Sequence, residues 1–406
     1  MIVDAPHGPT GPRVGPTIAR LTAAKTVANT ALRWIPPFLP TLERAFGAST
    51  TQLTTILGIG ELGGLTTVSV GSALDRGRER TVMVASLLSI VLSSIIALGG
   101  STTTFAIAFF VLIIGVSNLT VAGQTWISHR IAYARRARVL GLFETSWALA
   151  LLVGAPVVAV LINVFGWRGP FVAIAVAASV SAFVLATSLA STRRVELVRA
   201  ASVAGPAEAT QRPPRRAAIT PAAWLVMTGS AATAMAGLSV FVVSGSWLDD
   251  QFGVSTGGIG VVAIGFGGAE LTSSLTSAAI ADRAGKLRST LAGLACLALG
   301  LALLVTAGDQ LWLGVVALLV FLLGFEFAFV TSLSLVSEAM PDARGNALAV
   351  SNAVGTIARA AGAVLSGWLF GAHGISGTVV LSGSAAFVAA GCLLVSRRSG
   401  TIRAAR

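Results

Sequence analysis

From Thr81 to His129 the chain carries no aspartate, glutamate, lysine or arginine. A helix needs about 20 mainly apolar residues to cross the roughly 30 Å hydrocarbon layer of a bilayer. The run is long enough for two crossings, with a turn at Gly99-Gly100-Ser101. Composition extends the point to the whole chain. Charged residues are 11% of 406, against about 25% in soluble domains. Hydrophobic residues are 54%, and there are 45 glycines besides. So few charges cannot cover that much apolar side chain in water. The fold class is all-α, a polytopic membrane protein.

Further runs without charge lie at 169–192, 289–308 and 374–396. Twelve spans are expected at roughly 19–42, 50–74, 81–100, 104–130, 139–165, 169–191, 221–248, 255–281, 289–307, 311–337, 346–371 and 375–396. The one long polar interruption, 193–220, holds Arg193, Arg194, Glu196, Glu208, Arg212, Arg215 and Arg216. It reads as a cytoplasmic linker between an N-terminal six-helix bundle (18–192) and a C-terminal one (221–396). Residues 1–17 are rich in Gly and Pro and lack an apolar signal-peptide core, so they read as a disordered cytoplasmic tail. Residues 397–406 form a second tail.

The net charge of +12 sits in short clusters between apolar runs. Nucleic-acid binding would need it on one folded face, so no nucleic-acid partner is expected. Alternate loops carry Arg76, Arg78 and Arg80, then Arg135, Arg136 and Arg138, the linker arginines, Arg283, Lys286 and Arg288, and Arg344. The loops between them show Arg44 and Arg168. By the positive-inside rule both termini lie in the cytoplasm and the protein is a multi-pass component of the inner membrane. Cys296 and Cys392 fall inside apolar runs, so no disulfide framework is implied. Scattered His7, His129 and His373 make no metal site. No Gly-x-x-x-x-Gly-Lys motif points to nucleotide.

The two halves echo each other. Span 2 ends Gly71-Ser-Ala-Leu-Asp-Arg-Gly-Arg-Glu-Arg80, and span 8 ends Ala278-Ala-Ile-Ala-Asp-Arg-Ala-Gly-Lys-Leu-Arg288. Each places Asp-Arg, glycine and further base in the loop that follows. A basic turn on the cytoplasmic side is the simple reading, but its recurrence after the same number of spans signals a parallel repeat. With this loop the chain resembles the major facilitator superfamily over nearly its whole length. That resemblance implies two pseudo-symmetric six-helix bundles around a central site. It also gives Asp75, Arg76, Asp282 and Arg283 a cytoplasmic gating role, bracing the outward-open state. Gly166-Trp-Arg-Gly-Pro-Phe171, Gly324-Phe-Glu-Phe327 and Pro341-Asp-Ala-Arg-Gly345 resemble the drug- and sugar-efflux branch of proton antiporters. The Gly-Pro pair of that branch's span 5 stands here as Gly154-Ala-Pro156.

Ionisable side chains within a bilayer are costly and are functional candidates by default. Within the spans lie Lys25, Arg33, Glu61, Glu144, Glu270, Glu326 and Arg359. Spans 3, 6, 9 and 12 have none, and in the resembled fold those four helices face lipid. At about 1.5 Å per residue, Glu61, Glu270, Glu326 and Arg359 lie roughly 18–22 Å from the basic loops, with Arg33 near the same depth. Glu144, about 9 Å in, reads as a cytoplasmic gate residue, and Lys25 as snorkelling to the inner surface. The charges can pair to fix helix packing, but the glutamates outnumber the deep arginines. An unpaired carboxylate in a low dielectric binds a proton more readily than in water. Glu61, Glu270, Glu326, Arg33 and Arg359 are therefore the candidates for proton coupling.

Trp34 beside Arg33, Pro36, Pro37 and Pro40 is either a ligand contact at a helix break or an interfacial tryptophan. Asn118 and Gln124 either bond substrate or bond a neighbouring helix. Trp147 either lines the cavity or packs. The expected function is a secondary active transporter, not an enzyme, that moves a small organic or amphipathic solute by alternating access. Proton-coupled efflux, with the proton gradient in place of any cofactor, leads. Uptake or flipping of a lipid-linked molecule are the alternatives, and a membrane enzyme is the opposing class. The expected partners are a small-molecule substrate and the lipid bilayer, and the protein is expected to be a monomer.

Overall fold

A computed structural model describes residues 14–131, 133–189, 219–340 and 344–398. The side chains of Val14, Tyr133, Ala134, Ala137, Ala278, Asp282, Arg344, Asn346 and Arg398 lie outside that description, as does most of the 193–220 linker and of both tails. The described residues are helical apart from short turns and contain no strand. Ten helices are long and apolar enough to cross a membrane. One of these, Arg344–Arg398, is bent at Gly374, where φ is +62°. It therefore supplies spans 11 and 12. The first helix, Val14–Arg33, carries Arg20, Lys25 and Arg33 and so falls short on composition. With it, the twelve expected spans are all present.

Local chemistry sets the breaks. Span 1 is Val14–Arg33 followed by Leu39–Phe46. Pro36 and Pro37 lack the N–H groups a continuous helix requires there, so the chain turns between the two pieces. Span 2 starts on a capping box of Ser49 and Gln52, tightens at Leu62–Thr66, and resumes as Thr67–Asp75. Span 3 is Glu79–Ala97, and span 4, Thr102–Arg130, is capped by Ser101 after the expected glycine turn. Span 5 runs from Tyr133–Glu144 through a widened π turn at Ala150–Gly154 into Ala155–Phe165. Pro156 cannot donate to Leu152, and the widened turn absorbs that missing bond. Span 6 is Arg168–Ser188.

In the second half, span 7 is Pro221–Phe241 with Ser244–Phe252, span 8 Thr256–Ala284, span 9 Lys286–Thr306 and span 10 Leu311–Ala339. The glycines of the two echoed loops take positive φ, +70° at Gly77 and +88° at Gly285. That conformation is open to glycine at no steric cost, which explains the residue at both turns. Spans 3, 6 and 9 pack within their own bundles, and Leu92, Phe183 and Leu299 stand more than half exposed. Spans 1, 2, 5, 7, 8 and 11 carry the contacts between bundles.

Those contacts are concentrated toward the face opposite the basic loops. Thr51 Oγ1 donates to Gly367 O at 2.9 Å. Gly58 abuts Ala360 and Val364, Gly245 abuts Pro37, and Gly267 abuts Leu152. On the basic side, the inner pieces of spans 2 and 5, Thr67–Asp75 and Tyr133–Glu144, pack within the first bundle. The protein is closed at one face and parted at the other.

Candidate functional site

Four of the charges expected at mid-depth meet across the bundle interface. Arg33, at the end of the long first helix, points at span 8. Its Nη1 and Nη2 donate to the two carboxylate oxygens of Glu270, each at 2.5 Å. The side chains are 4% and 1% exposed. Nη1 also donates to the carbonyl of Trp147 at 3.0 Å. The guanidinium lies over the Trp147 ring at 4.1 Å and within 5.4 Å of the Phe241 ring. A flat cation over one aromatic face and near another, forked onto one carboxylate, is a rigid arrangement.

Glu326, on span 10, is buried beside this pair. Glu270 and Arg33 are its charged neighbours. Its direct partner is the Ser274 hydroxyl, which donates at 3.4 Å. One guanidinium, paired with Glu270, thus has a second carboxyl group as a buried neighbour. Burying a second uncompensated charge in an apolar layer costs several kcal/mol.

The second crossing is looser. Arg359 Nε on span 11 donates to Glu61 Oε2 at 3.1 Å, and the two side chains are 28% and 15% exposed. Thr356 accepts from the same guanidinium at 3.1 Å. Glu61 sits where its helix tightens, just before Leu62–Thr66. The repeat-related acids Glu61 and Glu270 are both held by arginines of the opposite bundle, but from spans 11 and 1 respectively. The expectation of several cation-free glutamates narrows to Glu326, because Glu61 and Glu270 are paired.

The remaining candidates separate. Glu144 accepts from Lys25 at 2.5 Å and from Gln124 at 3.0 Å, all within the first bundle. Lys25 is buried, lying 4.3 Å from the Phe143 ring, and does not snorkel. Its acid partner lies one helix away, so the stem need not reach the surface. Trp147 is 37% exposed beside Arg33 and faces open space. Trp34 is fully buried against Phe38 and Phe171. Of its two readings, ligand contact or interfacial tryptophan, this conformation displays neither, because the proline turn directs the indole into its own bundle. Asn118 donates to Thr66 Oγ1 at 3.3 Å, the helix–helix bond of its two readings. Asp75 is exposed and Arg76 bonds Ser72, one turn before it, so neither is seen braced against the second bundle. Arg283 is exposed in the last turn of span 8.

Sequence reasoning missed a contact at the closed face. Ser246 Oγ donates to Glu43 Oε1 at 2.8 Å, and Arg44 Nη1 to Asp249 Oδ2 at 2.6 Å. The Glu43-Arg44 pair at the end of span 1 and Asp249-Asp250 at the end of span 7 were its signal. A recess of about 430 Å³, lined by Thr41, Arg44, Asn163, Trp167 and Thr256, opens beside it.

Two bundles of six spans, closed at one end and joined at mid-depth by buried charges, define a membrane transporter. The sequence profile of the Major Facilitator Superfamily matches residues 21–363, with a second match over 225–405, and the chain belongs to that family. It is 24% identical to the uncharacterized MFS-type transporter YceJ of Bacillus subtilis (strain 168) over 347 residues, 83% of this chain and 84% of that one. Its fold is similar to the crystal structure of a D-xylose–proton symporter, with TM-score 0.74, 17% identity, and coverage of 94% of this chain and 97% of the other. It is also similar to a bacterial homolog of the human lysosomal transporter Spinster in an inward-facing and occupied conformation. There the TM-score is 0.77 at 14% identity, covering 96% and 98% of the two chains.

Proposed function

We propose that the protein is a proton-coupled carrier of the cytoplasmic membrane that exports a small organic or amphipathic solute by alternating access. The basic loops face the cytoplasm in this reading, so the conformation described is inward-facing. The observation that carries the proposal is the Arg33–Glu270 ion pair with a second buried acid, Glu326, as its neighbour. A proton entering or leaving that cluster changes its charge by one in an apolar layer. Such a change favours one arrangement of the bundles over the other. Arg33 comes from the first bundle and both acids from the second, so the charge change acts on the interface itself. Trp147, half-buried beside the cation, offers an aromatic face to a solute in the vestibule.

Export rests on the resemblance of the span 5–6 loop and the span 10 motifs to efflux carriers. Proton-coupled uptake is the second reading, favoured by the fold shared with a sugar–proton symporter. The same cluster serves either direction. A thermal-shift screen of detergent-solubilised protein against sugars, including D-xylose, and amphipathic drugs finds a ligand that raises apparent stability. In liposomes an imposed pH gradient then drives that ligand across the membrane in wild type. Glu326→Gln is expected to exchange ligand between compartments but to lose the response to the gradient. Gradient-driven movement by Glu326→Gln at the wild-type rate refutes coupling through this acid, and the sign of the driving gradient separates export from uptake.

A further inference from the structure

The closed face is held by a clasp that the central cluster does not explain. The outer piece of span 1, Leu39–Phe46, lies against the outer piece of span 7, Ser244–Phe252. Arg44 reaches across to Asp249, with side chains 60% and 24% exposed. Glu43, its neighbour in sequence, meets the same helix through the neutral hydroxyl of Ser246, itself fully buried. The only cation adjoining Glu43 along its own helix is thus committed to another acid. Span 7 contributes Asp249 and Asp250 to its surroundings, and the start of span 2 contributes the Thr50 hydroxyl. Beyond these, Arg168 stacks on Trp167, whose ring packs on Phe46 of the same short helix. Gly245 brings the span 7 backbone against Pro36 and Pro37, so the clasp closes around Glu43.

We propose that Glu43 takes up a proton when the two bundles close at this face and gives it up when they part, which makes the clasp a proton-dependent outer gate. Glu43 lies just past residue 42, where the charge-poor length of span 1 is expected to end. Burial pushes its carboxyl above the usual value, Asp250 and Asp249 push it the same way, and the Ser246 and Thr50 hydroxyls offset this in part. When the bundles part, water reaches the group and its affinity for protons returns to the ordinary carboxylate range. The sign follows by linkage. The closed arrangement binds the proton more tightly, so external acid favours closure, and the advantage disappears as pH rises through the closed-state value. The recess beside Arg44 gives protons from outside a route to the clasp. The inference rests on alternating access but not on Glu326 as the coupling site.

The test follows the outer faces directly. Cys296 and Cys392 are replaced by serine, and distance labels are placed at Thr103 and Gln310, exposed at the outer ends of the two bundles. The protein is held in liposomes at constant internal pH while external pH is stepped from about 5 to 8, a range chosen to span ordinary and raised carboxylate values. In wild type the closed-to-open ratio is expected to fall at least about threefold, equivalent to half a pH unit of differential proton affinity. Glu43→Gln, which keeps an acceptor for Ser246, is expected to stay at the acid-side ratio at every pH. Its melting temperature checks that it folds. Glu326→Gln is expected to keep the outer response. A wild-type response in Glu43→Gln, or no response in wild type, overturns the proposal. A response lost in Glu326→Gln but kept in Glu43→Gln overturns the clasp and leaves the central reading intact. A response lost in Glu43→Gln, in a protein whose transport ignores pH gradients, sustains the clasp and removes proton-coupled transport.

Discussion

Replacing Glu270 by glutamine removes the charge from the most buried bond between the bundles. Arg33 now spends two charge-assisted hydrogen bonds on that carboxylate, both 2.5 Å long and both shielded from water. Hydrogen bonds to charged groups contribute about 1.5–3 kcal/mol each, and stripping one member from a buried pair costs about 3–5 kcal/mol. Part of this is recovered. The Trp147 carbonyl and ring remain in place, and Glu326 stands close enough to supply a replacement charge. A net loss on the order of 2–4 kcal/mol is expected. Because the pair crosses between bundles, the loss falls on this conformation more than on the folding of either bundle. At about 1.4 kcal/mol per factor of ten, the outer-closed population relative to the open one drops roughly 30- to 700-fold. Distance labels at Thr103 and Gln310 read that ratio. The double variant Arg33→Met/Glu270→Met is expected to recover much of it, since apolar pairs often replace buried ion pairs without loss. A Glu270→Gln protein whose closed-to-open ratio stays within about twofold of wild type refutes the reasoning.

Two further outcomes follow from geometry and charge. A methyl group at Gly245 would run into the Pro37 carbonyl, so Gly245→Ala is expected to hold the outer faces apart, raising the open population and leaving each bundle helical by circular dichroism. In a cysteine-free background, a cysteine at Arg135 is expected to react with impermeant reagent from the cytoplasmic side alone and one at Gln251 from outside alone. The reverse pattern overturns the orientation.

Spacing and charge made the spans legible, because the membrane imposes one helical length and excludes charge from it. The same rule exposed Arg33, Glu61, Glu270, Glu326 and Arg359, whose shared depth follows from helical rise alone. Depth does not tell which way a side chain points. Arg33 meets Glu270, and Arg359 meets Glu61, through packing of helices more than two hundred residues apart in the chain. That is why the sequence could not separate paired acids from the unpaired one. Trp34 was ambiguous for the same reason: a proline turn announces a break, while the direction of the indole depends on Phe38 and Phe171. Lys25 found Glu144 one helix away, a partner that snorkelling arguments do not consider. The widened turn at Ala150–Gly154 had a local signal in Pro156, but a proline permits a kink as readily as a π turn.

The outer half of the interface is made largely of bare backbone. Gly58, Gly245, Gly267 and Gly367 each lie flat against main chain or a short side chain of the other bundle. Surfaces of this kind have no teeth. When the halves rock, nothing must be unmeshed and no rotamer has to change before the first ångström of travel, so friction in the stroke is small. The clamping force is left to a few polar fastenings, and a handful of charges can therefore shift the halves of a 41.1 kDa protein.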